Sequence, residues 1–420
     1  MKVTIITRKY IKPCSPTPPN LRRYKLSALD EILPPMNMSV ILFYTPNPKP
    51  DPTIDPQQTL PRVLTRFYPF AGRYLKNDLS VDCNDEGAEF VEAEVPGLDL
   101  ATFLSKTEND GLDCLLPRTT YDRVDNPDDP ILSVQVTNFP ECGGRAVGIS
   151  LSHRISDAST LGTFVSAWAH ASDSEKTVLP TFDGPSIFPG TGLAPEFAPP
   201  RSVAVRRLQF GREAVSRLRS VLGPESRVRV ASAVVAKALL RIEAAKNRGG
   251  SLRACYLGQG VNMRSRTVPP LGSHACGNFV YEAVARCMEA GAREPGLDEL
   301  VRVVGGSIEK AVEDCGRMMW LDGEGRVEMV RGPLEKVFET LASGDNVALW
   351  FTDWSKFGFY EADFGWGKPG WVRVGKVCTE NLTVLMDDRA GGGIEAWVHL
   401  SHEDVPSFES DDDIKLFLVA

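Results

Sequence analysis

One histidine and one aspartate in the N-terminal half have the residue types and spacing for acid–base chemistry. His153 and Asp157 enclose the segment His-Arg-Ile-Ser-Asp. Imidazole is the side chain whose unperturbed pKa lies near neutrality, so a histidine that projects into a cleft can serve as a general base. The aspartate either orients the ring or turns away and holds the loop. Because the chain has five histidines and many aspartates, this spacing alone fits a structural histidine equally well.

The neighbouring segments predict how this pair is positioned. The apolar run Ala146–Leu151 predicts a strand that ends just before His153. From Asp157 to Ala171 the apolar residues recur at helical spacing, and aspartate is favoured at a helix N-terminus. We therefore expect His153 at a strand-to-helix junction.

A second motif lies near the C-terminal end, Asp363-Phe364-Gly365-Trp366-Gly367. Its Asp-Phe-Gly opening occurs in protein kinases, but the chain has neither a G-x-G-x-x-G loop nor a His-Arg-Asp segment a short way upstream. Two glycines and an aromatic pair more simply predict a tight turn with an architectural role. Asp363, Gly365 and Gly367 are the residues that such a turn requires.

Two arginines form a third candidate site. Arg264 and Arg266 lie two residues apart in Asn-Met-Arg-Ser-Arg, and on an extended segment they would project to the same side. Together they could bind a carboxylate or phosphate. Surface arginines explain the spacing as well. No metal site is expected, because His399 and His402 lack a third ligand at metal-binding spacing.

Charge is distributed unevenly along the chain. The 47 Lys and Arg against 55 Asp and Glu give a net charge of −8. The segment Arg201–Arg266 holds 15 basic and 3 acidic residues, a balance of +12, which leaves −20 for the rest. Interleaved aromatic residues are missing from this basic segment, so we expect no nucleic-acid partner.

Composition and segment lengths predict the class and compartment. The 420 residues include 42% hydrophobic and 24% charged residues, which suits a globular α/β protein with a large core. No run of 18 apolar residues occurs, so we expect no membrane span. Nine scattered cysteines without a C-x-x-C pair, and no signal peptide, favour a cytoplasmic protein with reduced thiols.

A proline- and glycine-rich stretch, Thr177–Pro200, predicts a crossover between two halves, although a long surface loop within one domain remains the alternative. We expect an N-terminal domain over 1–177, a crossover over 178–203 and a C-terminal domain over 204–420. The first half is expected to contain strands at Ser39–Tyr44 and Ile131–Thr137 and a helix within Leu60–Gly72. The second half is expected to contain strands at Ala254–Asn262, Thr383–Asp387 and Gly393–Leu400, and helices at Arg229–Ala245, Leu297–Cys315 and Pro333–Ala342.

Together these motifs resemble the plant BAHD family of CoA-dependent acyltransferases. The family's two hallmarks are H-x-x-x-D near the middle and D-F-G-W-G near the C-terminus, and both stand here in that order. The resemblance covers essentially the whole chain, and further similar segments are Tyr10–Leu29, Phe67–Arg73, Val81–Ala93, Val134–Ser152, Tyr360–Pro369 and Gly393–Leu400. The opening I-K-P-x-S-P-T-P is similar to the alkaloid-acetyltransferase (vinorine synthase-like) clade. The flavonoid and hydroxycinnamoyl branches tend to have glycine where this chain has Ala158.

The resemblance implies a fold and a set of partners. It implies two similar-sized α/β domains, each a mixed sheet with helices as in chloramphenicol acetyltransferase, and a solvent channel at their interface. His153 would lie in that channel. Acyl-CoA, preferentially acetyl-CoA, would be a co-substrate rather than a permanently bound cofactor, and an alkaloid or terpenoid alcohol would accept the acyl group. The resemblance also implies a monomer with no membrane or nucleic-acid partner.

The resemblance further implies residue roles. His153 would be the general base, and Thr352 and Trp354 would stabilise the oxyanion. These residues stand in Thr-Asp-Trp where the family has Thr-Ser-Trp, so Asp353 departs from the pattern. Asp157 would be structural and would pair with Arg264 or Arg266.

CoA contacts are expected at Ser226 and Arg227, which lie in the basic segment Arg201–Arg266, and at Asn278. The positive charge of that segment would attract the phosphates of CoA.

Three other functions remain open on the sequence. The first is transfer of a malonyl or longer acyl group to another alcohol or amine. The second is hydrolysis of acyl-CoA with water as the acceptor. The third is a non-catalytic small-molecule-binding protein of the same fold.

Overall fold

The computed structural model describes residues 2–51, 54–106, 109–121, 125–193, 195, 200–246, 253–342, 344 and 346–419. The chain divides into two compact units. Unit 1 contains Met1–Ala198, Gly272–Phe279 and Phe357–Lys376, and unit 2 contains Pro199–Leu271, Val280–Lys356 and Val377–Ala420. The first passage between the units lies near the predicted boundary. Two later segments return to unit 1, and one of them carries Asp363 and Gly367, which the sequence placed in a domain over 204–420. Residues 194 and 196–199 of the predicted crossover lie outside the described residues.

Strands and helices alternate along the chain. The strands are β1 Thr4–Ile11, β2 Arg23–Lys25, β3 Asn37–Tyr44, β4 Arg73–Leu75, β5 Ser80–Asp82, β6 Ala88–Glu94, β7 Leu132–Phe139, β8 Gly144–Ser152, β9 Ala204–Phe210, β10 Ala254–Asn262, β11 Val280–Met288, β12 Asn346–Asp353, β13 Trp371–Val374, β14 Leu382–Asp387 and β15 Ile394–Leu400. The helices are α1 Ala28–Glu31, α2 Pro56–Arg66, α3 Leu100–Lys106, α4 Ala158–Ala169, α5 Gly184–Ile187, α6 Arg212–Leu222, α7 Arg227–Lys246, α8 Leu297–Met318, α9 Gly323–Ala342, α10 Val405–Ser410 and α11 Asp412–Lys415. None of the helices in the described part of the chain has the length and apolar character of a membrane span.

Unit 1 is built on a six-stranded mixed sheet with the order β1-β6-β7-β8-β3-β13. Only β6 and β7 among these neighbours run parallel. Every residue of β3 is buried, as its continuous apolar run predicts. The edge strand β13 comes from late in the chain and pairs antiparallel with β3, which ties the segment after Gly367 to the N-terminal sheet.

Unit 2 has its own six-stranded mixed sheet with the order β11-β10-β12-β14-β15-β9. The central strands β10, β12 and β14 are parallel, and the remaining pairs are antiparallel. One face of this sheet packs its apolar residues, including Leu349 and Phe351 of β12, against α7 and α8 in a continuous core. The predicted mixed α/β architecture of two halves is thus confirmed.

Two helix predictions differ from the structure at their boundaries. The helix expected over Leu60–Gly72 begins earlier, at Pro56, and ends at Arg66. The helix expected to start at Pro333 begins at Gly323, and Pro333 lies inside it. Proline is favoured in the first turn of a helix and disfavoured inside it, so a helix that runs through Pro333 is not expected from local preference.

Candidate active site

His153 lies immediately after β8, at the predicted strand-to-helix junction. Its backbone N–H donates to the Met36 carbonyl at 2.8 Å, which anchors the residue beside β3. The side chain is half-buried. The ring nitrogen Nδ1 lies 2.7 Å from the Ser156 carbonyl oxygen and 3.0 Å from Asn278 Oδ1. Two contacts on one nitrogen fix the plane and direction of the imidazole ring.

These contacts determine the tautomer of His153. A backbone carbonyl oxygen can only accept, so Nδ1 must carry the proton that it donates to Ser156. Within the described residues, no group forms a hydrogen bond with Nε2. Burial lowers the pKa of His153, and this effect outweighs the opposing influence of Asp157 and the hydrogen bonds. The neutral ring therefore presents the Nε2 lone pair as a proton acceptor at neutral pH.

Asn278 is held so that its oxygen faces the histidine. Its Nδ2 group donates to Asp30 Oδ1 at 2.8 Å and to the His153 carbonyl at 2.8 Å. Both acceptors are oxygens, which assigns the amide orientation and leaves Oδ1 toward the ring. Asn278 was predicted to contact CoA, but both of its amide hydrogens are used inside unit 1. The geometry supports a positioning role for it instead.

Asp30 holds Asn278 in place through hydrogen bonds. Its Oδ2 accepts from the Ser27 N–H at 2.9 Å and its own N–H donates to Ser27 Oγ at 3.2 Å, the reciprocal bonds of a helix capping box. The Ser27 hydroxyl also donates to Oδ2 at 2.7 Å. Asp30 Oδ1 accepts from the backbone and side chain of Asn278 at 3.2 and 2.8 Å. Burial raises the pKa of Asp30 to about 6, while these hydrogen bonds oppose the rise. At neutral pH the carboxylate is therefore ionised and orients the Asn278 amide.

Asp157 holds the backbone that presents Asn278. As the N-cap of α4, its Oδ1 accepts from the Thr160 N–H at 2.8 Å, and its Oδ2 accepts from the Phe279 N–H at 3.0 Å. Thr160 adds a hydroxyl bond to the Gly277 carbonyl at 3.0 Å. The His153 ring forms its hydrogen bonds with the Ser156 carbonyl and with Asn278, and not with the Asp157 carboxylate. Asp157 thus acts on His153 through the segment Gly277–Phe279, and its pairing with Arg264 or Arg266 stays a prediction.

The motif Asp363–Gly367 forms the predicted tight turn in unit 1. Asp363 Oδ1 accepts from the N–H groups of Gly365 and Gly367 at 2.8 and 2.9 Å. Gly365 has φ +85°, and a Cβ there would lie 2.8 Å from the Asp51 carbonyl oxygen, so only glycine fits. Phe364 is fully buried, with its ring 4.7 Å from that of Trp168 on α4. The turn therefore supports the helix whose N-terminus holds Asp157.

The predicted oxyanion residues lie at the end of β12 in unit 2. Thr352 is half-buried and Trp354 is buried. The intervening Asp353 pairs in register with Leu385, a residue of the core beneath the helices, so strand alternation turns its side chain away from the face of Thr352. Its Oδ1 accepts from the Ser355 N–H at 2.9 Å, and burial raises the pKa of Asp353. The relation of Thr352 and Trp354 to His153 remains a prediction from the resemblance.

The arginine pair after β10 does not lie on an extended segment. The Met263 carbonyl accepts from the N–H of Arg266 at 2.8 Å, so the chain turns there and the two arginines do not project together as predicted. Arg264 is buried and contacts Asn262 Oδ1 at 3.2 Å, whereas Arg266 is half-buried and donates to the Asn262 carbonyl at 2.5 Å.

The predicted CoA contacts at the start of α7 have structural partners. Ser226 Oγ accepts from the Arg229 N–H at 3.2 Å at the helix N-terminus. Arg227 donates to the Gly393 carbonyl at 2.6 Å and forms an ion pair with Asp387. Many other cations of the basic segment pair with unit 2 carboxylates, among them Arg201–Glu380, Arg206–Glu409, Arg207–Glu395, Arg241–Asp411 and Lys246–Asp404. The local positive balance is therefore largely neutralised, and a role in attracting CoA stays a prediction.

The sequence interpretation missed Asp30 and the positioning role of Asn278. One local signal was available for Asp30, the Ser-x-x-Asp capping pattern formed with Ser27. That pattern predicts a helix start and gives no sign of a partner 248 residues later in the chain.

Comparison with known proteins shows similarity along the whole chain. The model of the Transferase family matches residues 1–414. A pelargonidin 3-O-(6-caffeoylglucoside) 5-O-(6-O-malonylglucoside) 4'''-malonyltransferase of Salvia splendens is 39% identical, with 100% of each chain covered. Vinorine synthase of Rauvolfia serpentina is 34% identical, with 95% of this chain and 94% of the relative covered.

Solved structures show the same fold. The crystal structure of vinorine synthase matches with a TM-score of 0.85 at 32% identity, covering 99% of this chain and 98% of that one. The structure of F. sporotrichioides TRI101 complexed with coenzyme A and T-2 matches with a TM-score of 0.68 at 17% identity, covering 94% and 99%. The second similarity is one of fold alone.

Proposed function

The chain belongs to the BAHD family and is an acyl-CoA-dependent O-acyltransferase, and from that premise we propose that it transfers an acetyl group from acetyl-CoA to a hydroxyl group of an alkaloid or terpenoid alcohol. The observation that carries the proposal is the state of His153. Its Nδ1 proton is donated to Ser156, its pKa is lowered by burial, and its Nε2 has no partner among the described residues. This is the arrangement of a general base.

In the proposed reaction, Nε2 of His153 accepts the proton of the acceptor hydroxyl while that oxygen attacks the thioester carbonyl carbon. The carbonyl π electrons move to oxygen and form a tetrahedral oxyanion. When the carbonyl re-forms, the carbon–sulfur bond breaks, and the imidazolium returns the proton to the CoA thiolate. The products are an ester and free CoA, and no acyl-enzyme is required.

The oxyanion needs hydrogen-bond donors that are in place before the reaction. We assign this role to the Thr352 hydroxyl and the Trp354 indole N–H, two residues apart at the end of β12. The backbone supports the assignment, because Thr352 pairs with Val384 of β14 and Trp354, which directly follows β12, donates its N–H to the Leu385 carbonyl at 2.8 Å. The same proposal includes binding of CoA near Ser226 and Arg227, and a monomer that acts in the cytoplasm.

Acetyl-CoA and malonyl-CoA are the two candidate acyl donors. The names of vinorine synthase and of stemmadenine O-acetyltransferase from Catharanthus roseus, which is 33% identical, agree with the clade resemblance, and the latter names an acetyl group. The Salvia relative supports malonyl transfer as the second candidate. A malonyl group carries a carboxylate that needs a cation. The nearest groups to the Gly260 position beside Thr352 are a Val280 methyl group and the Glu282 carboxyl, which favours the uncharged acetyl group.

Mass spectrometry of products from a donor panel tests both candidates. Acetyl-, malonyl- and longer acyl-CoA would each be combined with alkaloid, terpenoid and glycoside alcohols, and free thiol would be measured in parallel. We expect acetyl esters, with thiol release that depends on the acceptor. Malonyl esters as the main products would show that malonyl-CoA, and not acetyl-CoA, is the preferred donor. Thiol release without an acceptor would indicate a hydrolase, and no release with any pair would indicate the non-catalytic binding protein.

A further inference from the structure

Beside Thr352, the unit 2 sheet carries a carboxyl group that the proposed reaction does not use. Glu282 lies on β11, and the register pairs it with Gly260 on β10, which in turn pairs with Thr352 on β12. Residues paired across neighbouring strands project to the same face of a sheet. Part of this face is covered by α9, whose Phe338 ring lies 6.2 Å from that of Trp350. The opposite face packs against α7 and α8, since Tyr281 donates to Asp314 of α8 at 3.0 Å. Glu282 and Thr352 thus share the face turned away from those helices.

The glycine between them leaves a hollow. A Cβ atom at position 260 would lie 3.7 Å from Glu282 Oε1, 3.7 Å from Thr352 Oγ1 and 3.4 Å from Val280 Cγ1. The two oxygens are therefore separated by no more than twice that distance, a span that one small polar group can bridge. A side chain at position 260 would fill the space between them.

Two residues earlier on β10, at Gly258, a side chain covers the same face of the sheet. A Cβ atom at Gly258 would lie only 2.1 Å from the Trp350 ring, because the indole lies over that glycine. Of the two glycines on β10, Gly260 is the one with room for a small group, which would be in van der Waals contact with a carboxyl and a hydroxyl oxygen. The hollow is thus limited on one side by an aromatic wall.

The half-buried Glu282 differs in its partners from the buried carboxyl groups of unit 2. Glu395 is held by Arg207, and Asp314 by Tyr281 and Arg317. For Glu282, no described residue supplies a hydrogen bond or an ion pair. Burial alone raises the pKa of Glu282 to about 7. A half-buried carboxyl group without a partner loses part of its hydration, and carboxyl groups with a raised pKa concentrate at ligand sites.

We propose that Glu282 binds a basic amine of the acyl acceptor in the hollow above Gly260. The inference rests on the proposed function and narrows its acceptor class to amino alcohols. An ammonium group donates hydrogen bonds and also supplies the opposite charge that this carboxylate lacks, whereas a neutral hydroxyl supplies only the hydrogen bond. With the amine at Glu282, the acceptor hydroxyl lies on the side of Thr352, where the oxyanion is proposed to form.

A pair of probes of equal shape tests the proposal without knowledge of the natural acceptor. Quinuclidin-3-ol carries a protonated amine at neutral pH, and bicyclo[2.2.2]octan-2-ol is its neutral carbocyclic analogue. Equilibrium dissociation constants would be measured for both by calorimetry or ligand-observed NMR on the full chain. We expect the wild type to bind the amine at least roughly tenfold more tightly than the carbocycle. Equal affinity, including no detectable binding of either, overturns the proposal.

Variants identify the carboxyl group responsible. Glu282→Gln keeps the size and removes the charge, so it is expected to abolish the preference for the amine while leaving carbocycle binding unchanged. Glu282→Asp keeps the charge and is expected to retain part of the preference. The matched control is Glu289→Gln, an exposed glutamate just after β11, which should behave as the wild type. A preference that survives in Glu282→Gln, shown by cooperative unfolding to be folded, overturns the assignment.

The outcome is separable from that of the proposed function. His153→Ala should lose acyl transfer and still bind the amine probe with the wild-type preference. Failure of the Glu282 proposal would leave transfer to neutral alcohols intact in the wild type. Failure of the proposed function would instead remove thiol release with every alcohol and leave the probe measurement unaffected.

Discussion

The polar side chains around His153 have hydrogen-bond partners within the protein, whereas Glu282, beside Gly260, has none among the described residues. In unit 1 the histidine ring, Asn278 and Asp30 form an unbroken series of hydrogen bonds that ends in a helix cap. In unit 2 the half-buried Glu282 lies beside the small hollow at Gly260, without a partner among the described residues. The first cluster is complete before any substrate binds, because a general base must have a fixed direction and tautomer. The second is incomplete, and a ligand can supply what it lacks.

This difference predicts opposite signs for substitutions in the two regions. Removing Asp157, the carboxylate that holds the backbone around His153, leaves two buried N–H groups unsatisfied and destabilises the fold. Removing the charge of Glu282 relieves an unpaired group and stabilises the fold. If substitutions in both regions changed the free energy of unfolding in the same direction, the two regions would not differ in this way.

The largest expected effect is on activity, at His153 itself. His153→Ala is expected to lower kcat/KM for acyl transfer by roughly a thousandfold, because the proton acceptor is lost. Its unfolding temperature should stay close to that of the wild type. The control is His402→Ala, at an exposed histidine in unit 2. Substantial activity in His153→Ala would exclude His153 as the general base.

Asp157 should affect stability and activity together. Asp157→Ala removes the acceptor for the Thr160 and Phe279 N–H groups, which costs about 1–3 kcal/mol of the free energy of unfolding and releases the segment that presents Asn278. Urea unfolding and initial rates measure the two effects, with the exposed Asp128→Ala as the control. An inactive Asp157→Ala protein with wild-type stability would indicate a direct catalytic role instead.

Glu282 should show the reverse sign on stability. Its pKa is raised from 4.5 to about 7, so the folded state binds more protons than the unfolded state between these values, and wild-type stability falls as the pH rises through them. Glu282→Gln has no such loss. We expect it to be more stable than the wild type above pH 7, by on the order of 2 kcal/mol, with the difference shrinking toward pH 4.5. A destabilised variant at pH 8 would show that Glu282 has a partner.

Asn278 should give the smallest change. Asn278→Ala removes a hydrogen bond that raises the pKa of His153, so kcat should fall by about tenfold, with KM unchanged, and the acid limb of the kcat–pH profile should move to lower pH. A lower kcat with an unmoved pH profile would mean that Asn278 only supports the fold.

Much of the fold could be predicted from local patterns. The buried run in β3 and the alternation in β7 identify strands correctly, because side-chain periodicity is a property of a few consecutive residues. Helix starts were harder to place. The helix expected over Pro333–Ala342 begins at Gly323 and contains Pro333, although proline is disfavoured inside a helix.

By itself the sequence determined the candidate base, its strand-to-helix junction and the tight turn at Asp363, because each depends on residues a few positions apart. Only the tertiary structure decided that Asn278 and Asp30 orient His153, across 248 residues of chain, and that Glu282 lies beside Thr352 without a partner. The physical reason is that strand order and register bring these residues together. Both depend on how the whole sheet packs, and no local window of the sequence contains that information.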